Sequence, residues 1–338
     1  MPLNQQILLD NRPTGEAVAS NFKLVSSETP ALKDGEVLVR HHYLSLDPYM
    51  RGRMNDAKSY SAPQPLGQVM LGGTVGEVIE SRSPRYQPGD KVAGMGGWQQ
   101  YSVVNAEQPG ALRKVDTTHV PLSHYLGAVG MPGVTAWYGL VNIIEPKAGQ
   151  TMVVSAATGA VGSAFAALSK ARGCRTVGIA GGPDKCRYAV DELGFDACID
   201  YKLHKDAASL SAALKQACPD GIDGYFENVG GMVLDAVLPL MNTFGRIALC
   251  GMIAGYDGQP LPLSYPALIL TNRLKIQGFI VSEHMEVWPE ALRELGTLVA
   301  TGKLRPRETV ALGLEAAPEA FLGLLKGKNF GKQLVKLV

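Results

Sequence analysis

The pattern of hydrophobic and polar positions changes along the chain. Before about residue 133, apolar residues form short runs separated by turn residues such as Asp34-Gly35 and Pro88-Gly89. Such runs are typical of β-strands joined by tight turns. The strands predicted in this part cover residues 36–44, 74–80, 90–93 and 100–104. The first part of the chain is therefore predicted to be rich in β-structure.

After residue 133, apolar runs of strand length alternate with stretches of helical periodicity. The predicted strands are 151–155, 175–179, 197–200, 222–227, 245–250 and 274–278. The predicted helices are 134–144, 160–172, 183–193, 207–217, 232–241 and 286–301. This alternation indicates right-handed crossovers and a doubly wound parallel sheet, so the fold class is α/β. The tail, with strands at 308–311 and 333–338 around a helix at 317–325, is too short to fold alone, and we expect it to return to the first domain.

One turn in this pattern suggests a cofactor. The strand 151–155 meets small residues with Gly159 and Gly162, and an apolar helical stripe follows. Glycines at this point let the backbone approach a pyrophosphate, and the helix N-terminus offers free N–H groups. Ala157 stands where the usual fingerprint has its first glycine, so a turn that merely packs a helix closely on a sheet is the alternative.

The next strand favours NADPH over NADH. NAD sites place an acidic residue about 20 positions after the glycines to bind the ribose. Here the strand ends in Ala180-Gly181-Gly182, and the following helix carries Lys185 and Arg187. Cations in place of the carboxylate favour a ribose with a 2′-phosphate. The alternative is that both cations lie on an ordinary solvated helix face.

Composition excludes several classes of function. A chain of 338 residues is long enough for two domains, and its net charge of +1 gives no electrostatic case for nucleic acid or a membrane surface. The five cysteines contain no C-x-x-C pair, and we expect neither a signal peptide nor a membrane-spanning segment. These features predict a cytoplasmic protein in a reducing compartment.

Five segments together resemble one family, the zinc-independent branch of the medium-chain dehydrogenases/reductases. Within it, the chain is similar to the leukotriene 12-hydroxydehydrogenase/prostaglandin reductase group, which includes plant alkenal reductases, and most of all to the bacterial NADPH-dependent curcumin reductase type. The matching segments cover residues 43–54, 130–136, 156–162, 226–231 and 325–332. The first and the last are long and specific, so the resemblance spans nearly the whole chain.

The resemblance implies a GroES-like β-barrel domain and a Rossmann domain. The first, formed by residues 1–128 and 302–338, would bind the substrate, and residues 129–301 would bind NADPH. It also implies reduction of a carbon–carbon double bond conjugated to a carbonyl, as in curcumin-like enones and alkenals. A homodimer joined by the edges of the Rossmann sheets near residues 274–278 is implied as well, and an apolar edge strand needs such covering.

The resemblance also assigns site residues. Lys185 would meet the 2′-phosphate, Tyr201 the adenosine, and Asn228 the nicotinamide side, with Asn329 reaching the cofactor from the tail. Met131 and Thr135 would line the pocket near the nicotinamide, Met131 as a substrate residue. The remaining cofactor positions are Gly159, Ala160, Val161, Gly162, Gly181, Cys250 and Gly251.

The proposed chemistry needs a hydroxyl donor. Hydride addition to the β-carbon of an enone places negative charge on the carbonyl oxygen, and a proton must reach the α-carbon. Tyr256 is the predicted enolate stabiliser and candidate proton donor, Tyr49 a supporting hydroxyl, and Tyr60 a substrate-facing aromatic. Each of the three is alternatively an aromatic wall, with the proton coming from a cofactor ribose hydroxyl or water.

A metal is not expected. Zinc-using relatives need cysteine, histidine and acidic ligands at matched spacing. This chain has no cysteine before Cys174, and its histidines are scattered. Besides the zinc alcohol dehydrogenase that this disfavours, two other functions stay open. One is an NADPH:quinone oxidoreductase, and the other is a non-catalytic NADPH-binding sensor or structural protein.

Overall fold

The structure, a computed structural model, describes residues 2–338 and divides them into two compact units. Unit 1 contains the described residues as far as Leu126 together with the tail Glu308–Val338, and unit 2 contains Gly127–Arg307. Within residues 2–338, no helix is both long enough and apolar enough to cross a bilayer.

The elements are numbered in chain order. The strands are β1 (Leu3–Leu9), β2 (Phe22–Glu28), β3 (Glu36–Ser45), β4 (Thr74–Ser81), β5 (Lys91–Gly94), β6 (Tyr101–Asn105), β7 (Leu112–Lys114), β8 (Thr151–Ser155), β9 (Arg175–Ala180), β10 (Ala197–Asp200), β11 (Ile222–Glu227), β12 (Met241–Leu249), β13 (Lys275–Gly278), β14 (Glu308–Leu312) and β15 (Lys332–Lys336). The helices are α1 (Tyr49–Arg53), α2 (Met131–Tyr138), α3 (Ala160–Ala171), α4 (Pro183–Asp191), α5 (Ala207–Ala217), α6 (Met232–Val237), α7 (Ala267–Thr271), α8 (Trp288–Ala300) and α9 (Ala317–Leu325).

Unit 2 is built on a parallel six-stranded sheet in the order β10-β9-β8-β11-β12-β13. All five residues of the central strand β8 are buried, as expected for a parallel strand covered on both faces. The strand order reverses between β8 and β11, which is the point where open α/β sheets bind ligands. The predicted α/β fold with a Rossmann sheet is confirmed.

Two predicted helices of unit 2 differ from the structure by three or more residues at an end. The helix predicted over 134–144 begins earlier, as α2, and continues as a π-helical turn, Gly139–Ile144, which ends at Glu145 with φ +54°. The helix predicted over 232–241 ends at Val237. A 3₁₀ turn, Leu238–Leu240, follows and contains Pro239, which cannot donate a helical hydrogen bond, and β12 then begins at Met241.

Unit 1 contains a seven-stranded sheet and the hairpin β1–β2. The ten-residue strand β3 pairs with β4 along one side, while its other side is shared by β6 at residues 36–40 and by β15 at residues 43–45. Because β15 belongs to the tail, both ends of the chain contribute to one sheet. Its core includes Trp98, which stacks on Phe22 with ring centroids 5.3 Å apart.

Candidate functional site

The glycine turn lies between β8 and α3. Gly159 precedes the first helical residue, and no side chain caps the helix there. A Cβ on Gly162 would lie 2.5 Å from the Ala157 carbonyl oxygen, so only glycine permits this approach of the helix to the strand end. The first turn, which begins with Ala160 and Val161, therefore has backbone N–H groups without intrahelical partners, a donor set that suits a phosphate.

A second feature lies beyond β9 and β10. A Cβ on Gly181 would lie 2.8 Å from the Tyr201 ring and 3.0 Å from the Lys202 side chain, so this glycine lets the two segments meet. Burial lowers the pKa of Lys185, and the charge of Lys202 lowers it further. Two cations whose charges act on each other favour a bound anion.

Neighbouring charges define this site further. Asp200 accepts hydrogen bonds from the backbone N–H groups of Gly182, at 2.8 Å, and of Lys202, at 3.0 Å, which ties the two loops together. Arg187 pairs with Asp184 on the exposed face of α4. Lys202 is a further cation beside Lys185, and its charge lowers the pKa of Lys185.

A buried hydrogen-bond network holds Asn228 at the end of β11. Its backbone N–H donates to Ser155 Oγ at 2.8 Å, and its Nδ2 donates to the Ser155 carbonyl oxygen at 2.8 Å. Ser155 Oγ in turn donates to Glu227 Oε1 at 2.8 Å, which also accepts from the Val229 N–H at 2.6 Å. Burial raises the pKa of Glu227, although backbone hydrogen bonds from Val229 and Gly230 oppose this shift.

The end of β12 lies against the same network. The N–H groups of Cys250 and Gly251 donate to the Glu227 carbonyl oxygen at 3.0 and 3.2 Å. A Cβ on Gly251 would lie 3.2 Å from the Tyr256 hydroxyl, so the missing side chain makes room for that group. Burial raises the pKa of the Cys250 thiol to about 12, which keeps it protonated at neutral pH. Tyr256, Gly251 and Asn228 thus lie together at the carboxyl ends of the strands.

The two predicted pocket residues of α2 are one helical turn apart. Thr135 is buried, and its hydroxyl donates to the Met131 carbonyl oxygen at 2.7 Å. Met131 is half-buried at the start of the helix. Because the Thr135 proton is used within the helix, this hydroxyl is left to accept a hydrogen bond from a ligand.

Unit 1 places its two predicted tyrosines near one arginine. Tyr49 is the first residue of α1. Burial is the main cause that raises its pKa, the charges of Asp47 and Tyr60 raise it further, and the charge of Arg53 lowers it. The Arg53 guanidinium lies 5.0 Å from the centre of the Tyr60 ring, which is about half exposed. The structure therefore brings these aromatic groups together on one segment of unit 1.

Asn329 lies in the loop between α9 and β15. Its Nδ2 donates to the Gly331 carbonyl oxygen at 2.7 Å, which closes a local turn. The next cation, Lys332, is buried and pairs with Asp47, with 2.7 Å between Nζ and Oδ1. This ion pair joins the tail to the segment that leads into Tyr49.

Three residues of the site were not identified from the sequence. These are Lys202, Ser155 and Glu227. Ser155 and Glu227 act through hydrogen bonds between neighbouring strands, and Lys202 lies in a turn after a different strand from Lys185, so no local motif marks them. The signal for Lys202 was its position just after a strand end, and for Glu227 its place in the matched segment 226–231. Among the described residues, no group of three or more His, Cys, Asp or Glu is placed to hold a metal ion.

The residues present fit a phosphorylated dinucleotide. The uncapped helix start and Gly162 suit its pyrophosphate, and the two cations Lys185 and Lys202 suit a 2′-phosphate.

Comparisons with known proteins find related oxidoreductases. Residues 5–112 match the family described as N-terminal domain of oxidoreductase, and residues 160–297 match the family described as zinc-binding dehydrogenase. The chain is 46% identical to NADPH-dependent curcumin reductase of Escherichia coli, covering 99% of this chain and 97% of the relative. It is 42% identical to 2-alkenal reductase (NADP(+)-dependent) of Nicotiana tabacum, covering 98% and 97%.

A solved structure extends the likeness to three dimensions. The crystal structure of CurA in complex with NADPH from Vibrio vulnificus is 47% identical, covers 99% of both chains and has a TM-score of 0.91. Prostaglandin reductase 1 of Mus musculus is 43% identical over 94% of each chain. The chain belongs to the medium-chain dehydrogenase/reductase family, in the group that contains the NADPH-dependent curcumin, alkenal and prostaglandin reductases.

Proposed function

We propose that this protein is an NADPH-dependent reductase of carbon–carbon double bonds conjugated to a carbonyl, in ketones and aldehydes. Its relatives include a curcumin reductase and an alkenal reductase, both named for NADPH or NADP use. The observation that carries the proposal is the cluster at the ends of β11 and β12, where the Tyr256 hydroxyl lies over Gly251 beside Asn228. It offers a hydroxyl donor at the edge of the sheet where a cofactor binds.

The glycine turn and the two lysines of unit 2 support the proposed cofactor contacts. Ala160, Val161 and the two glycines of the turn would receive the pyrophosphate through backbone N–H groups. Lys185 and Lys202 would bind the 2′-phosphate, with Tyr201 beside the adenosine. The nicotinamide end would meet Asn228, Thr135 and the backbone at Cys250 and Gly251, with Asn329 as a further contact.

NADPH, when bound, supplies the hydride that adds to the β-carbon. The protein's own contribution is to stabilise the enolate and deliver a proton. We assign Tyr256 as the donor to the carbonyl oxygen, where a hydroxyl stabilises the developing negative charge. Met131 and Tyr60 would provide apolar and aromatic surface for the substrate.

Tyr49 has a narrower role. Because burial raises its pKa well above the usual value, its hydroxyl keeps the proton at neutral pH. We propose that it supports the carbonyl oxygen as a hydrogen-bond donor, because its proton is harder to transfer than that of an exposed tyrosine.

The domain roles follow the same reasoning. We propose that residues 129–301 form the cofactor domain and that residues 1–128 and 302–338 form the substrate domain. The five cysteines are all free thiols, which agrees with a cytoplasmic location. We also propose a homodimer through the β13 edge.

One assay tests the proposed activity. NADPH oxidation is followed with an aliphatic enal, a curcumin-like enone, a quinone and a saturated ketone, and the products are identified. We expect turnover with the enal and the enone, and a saturated carbonyl product. Turnover with the quinone alone would indicate a quinone oxidoreductase, and no turnover with any compound would indicate a sensor or structural protein.

A variant tests the role of Tyr256. Tyr256→Phe removes one donor to the enolate oxygen, and kcat should fall about 100-fold, the usual effect of losing such a donor. The matched control is Tyr265→Phe, since Tyr265 is exposed and has no assigned role. An unchanged kcat in Tyr256→Phe would contradict the assignment.

A further inference from the structure

Two cysteines without any sequence motif meet beside the 2′-phosphate site. Cys186 lies in the first half of α4 and Cys198 in β10, twelve positions apart in the chain. Their sulfur atoms are 3.1 Å apart, and both residues are half-buried free thiols. We propose that Cys186 and Cys198 are a redox modification site, in which a low-molecular-weight disulfide converts the two thiols into an intramolecular disulfide.

The spacing of the sulfur atoms favours this reaction. A disulfide bond is about 2.05 Å long, so the two atoms need to approach by only about 1 Å. One sulfur already donates a hydrogen bond to the other, from Cys198 to Cys186. The other cysteines lack this arrangement: Cys174 and Cys218 are buried, and burial raises the pKa of Cys218 to about 11.

The reaction proceeds by thiol–disulfide exchange. The Cys186 thiolate attacks one sulfur of the small disulfide and forms a mixed disulfide, and the first small thiol leaves as a thiolate that takes up a proton. The Cys198 sulfur, losing its proton, then attacks Cys186 and expels the second small thiol. The protein loses two electrons and two protons, and the small disulfide is reduced to two thiols.

Cys186 is the better attacking group. The hydrogen bond from Cys198 lowers the pKa of Cys186, whereas burial alone would raise it. Its half-buried position gives a small disulfide a route to the sulfur, and disulfides in reducing compartments are usually transient and redox-sensing.

The bond would act on the two segments that hold the phosphate. Lys185 is adjacent to Cys186, and Lys202 follows Cys198 by four residues. The loops that follow β9 and β10 are packed against each other, since Gly181 lies against Tyr201 and Lys202. Asp200 also accepts backbone hydrogen bonds from both loops. Drawing Cys186 towards β10 therefore displaces Lys185. This consequence rests on the proposed NADPH site, and we expect the bond to weaken NADPH binding several-fold and NADH binding little.

The first experiment detects the bond without using activity. The reduced full-length protein is treated with oxidised glutathione, the remaining thiols are alkylated, and intact mass and peptide mapping are recorded. We expect the loss of two hydrogen atoms and a Cys186–Cys198 crosslink that a reductant reverses. Cys186→Ser and Cys198→Ser should abolish the crosslink, while the control Cys218→Ala should retain it. A stable glutathione adduct without the crosslink, or no reaction, would overturn the proposal.

The second experiment measures cofactor binding before and after oxidation. NADPH and NADH dissociation constants are determined for the reduced, oxidised and re-reduced protein, and for Cys198→Ser after the same treatment. The proposal is supported if oxidation raises the dissociation constant of NADPH several-fold and reversibly, leaves that of NADH unchanged, and has no such effect on Cys198→Ser. A crosslink that leaves NADPH binding unchanged would overturn its effect on the cofactor. Failure of the reduced protein to bind NADPH would instead contradict the proposed function. The two failures are distinguishable, because peptide mapping detects the crosslink without using cofactor binding.

Discussion

Lys202 gives the proposed phosphate site a second cation, and its charge acts on Lys185. The lowered pKa of Lys185 reflects burial and the nearby charge of Lys202, a penalty that a bound 2′-phosphate would remove. Removing either cation should therefore weaken the binding of NADPH. The binding of NADH, which lacks the 2′-phosphate, should be almost unaffected. A charged hydrogen bond contributes about 1.5–3 kcal/mol, which corresponds to a rise in KM for NADPH of roughly ten- to a hundredfold.

Steady-state kinetics with both cofactors check this prediction for Lys185→Ala and Lys202→Ala. The matched control is Arg187→Ala, since Arg187 is an exposed cation of the same helix that pairs with Asp184. Equal losses with NADPH and NADH would show that the lysines maintain structure instead of binding phosphate.

Glu227 is predicted to hold Asn228 in place as a neutral group. Its raised pKa means that the native carboxyl keeps a proton at pH values above 4.5, where the unfolded chain has released it. Its contribution to stability is therefore full at pH values below 4.5 and falls as pH rises through the native pKa. Glu227→Gln keeps the acceptor for Ser155 and Val229 but cannot ionise, whereas Glu227→Ala removes the acceptor.

The expected outcome separates the two variants. Glu227→Gln should keep near-normal kcat and lose the fall in stability above pH 4.5 that comes from this carboxyl, while Glu227→Ala should lower kcat by at least about tenfold, because a buried hydrogen-bond network loses a partner worth about 1–3 kcal/mol. Urea unfolding and kcat, each measured against pH, provide the check. Equal behaviour of the two variants would contradict the positioning role.

At the residue scale, the sequence indicated the groups that lie in local motifs. Lys185 was proposed because it follows a strand end without an acidic residue, and Gly159 and Gly162 were proposed because they precede and begin a helix. Ser155 was not found, because its role arises only when β8 and β11 pair and bring it to Asn228. Contacts across strands of distant sequence leave no local signal.

At the scale of elements, burial determined what could be predicted. The strands β8, β10 and β11 and the helices α5 and α9 have the predicted bounds. In unit 2 the central strands are covered on both faces and read as apolar runs. The strand β2 was not predicted because most of its residues are exposed, and α1 was not because it has only five residues.

The ion pair between Asp47 and Lys332 is the strongest test at this scale. Both side chains are buried, and Lys332 Nζ also donates to the Leu46 carbonyl oxygen at 2.7 Å. Lys332→Met leaves a buried carboxylate without its cation, which should lower the free energy of unfolding by about 3–5 kcal/mol. Urea unfolding measures the effect.

Controls distinguish the ion pair from general damage to β15. Lys336→Met, at the exposed end of the same strand, should change stability by less than about 0.5 kcal/mol. The double variant Asp47→Leu/Lys332→Met should be more stable than Lys332→Met alone, because no unpaired charge remains. A double variant as unstable as the sum of both single variants would show no coupling.

At the scale of the whole molecule, the change in the pattern of hydrophobic residues predicted two kinds of architecture in one chain. The α/β pattern after residue 133 corresponds to unit 2, and the β-rich pattern before it corresponds to unit 1. The sheet of unit 1 could not be derived in detail, since β3 pairs with β15 almost 300 residues away. Pairings of that range depend on the folded chain and leave no periodic signal.

The stability of the whole molecule should depend on a buried histidine. His41 is buried in β3, bonded to Ser102 Oγ at 2.8 Å, and burial chiefly lowers its pKa to about 3. Between pH 6.5 and about 3 the unfolded chain binds a proton that the native state excludes. Stability should therefore fall as pH falls through this window, with a slope approaching about 1.4 kcal/mol per pH unit from this group. His41→Gln should reduce the slope measured by urea unfolding, and His119→Gln, an exposed control, should not.

The proposed homodimer is a prediction about the edge of the Rossmann sheet. In the described chain β13 is the last strand of its sheet, and the side chains of Phe244 and Leu270 beside it are 68% and 79% exposed. Phe244 is held there by its N–H bond to the Asn272 carbonyl oxygen at 2.8 Å. An open strand edge with apolar neighbours favours pairing with a second copy.

Light scattering should give the mass of a dimer at micromolar concentration. Leu270→Glu should shift the mass towards the monomer, because a carboxylate would be buried in the dimer without a partner. Leu312→Glu, at an exposed position of unit 1, should leave the mass unchanged. A monomer in the unmodified protein would reject the assembly while leaving the cofactor site intact, since every residue assigned to the phosphates lies on β8, β9 and β10 or their following turns and helices.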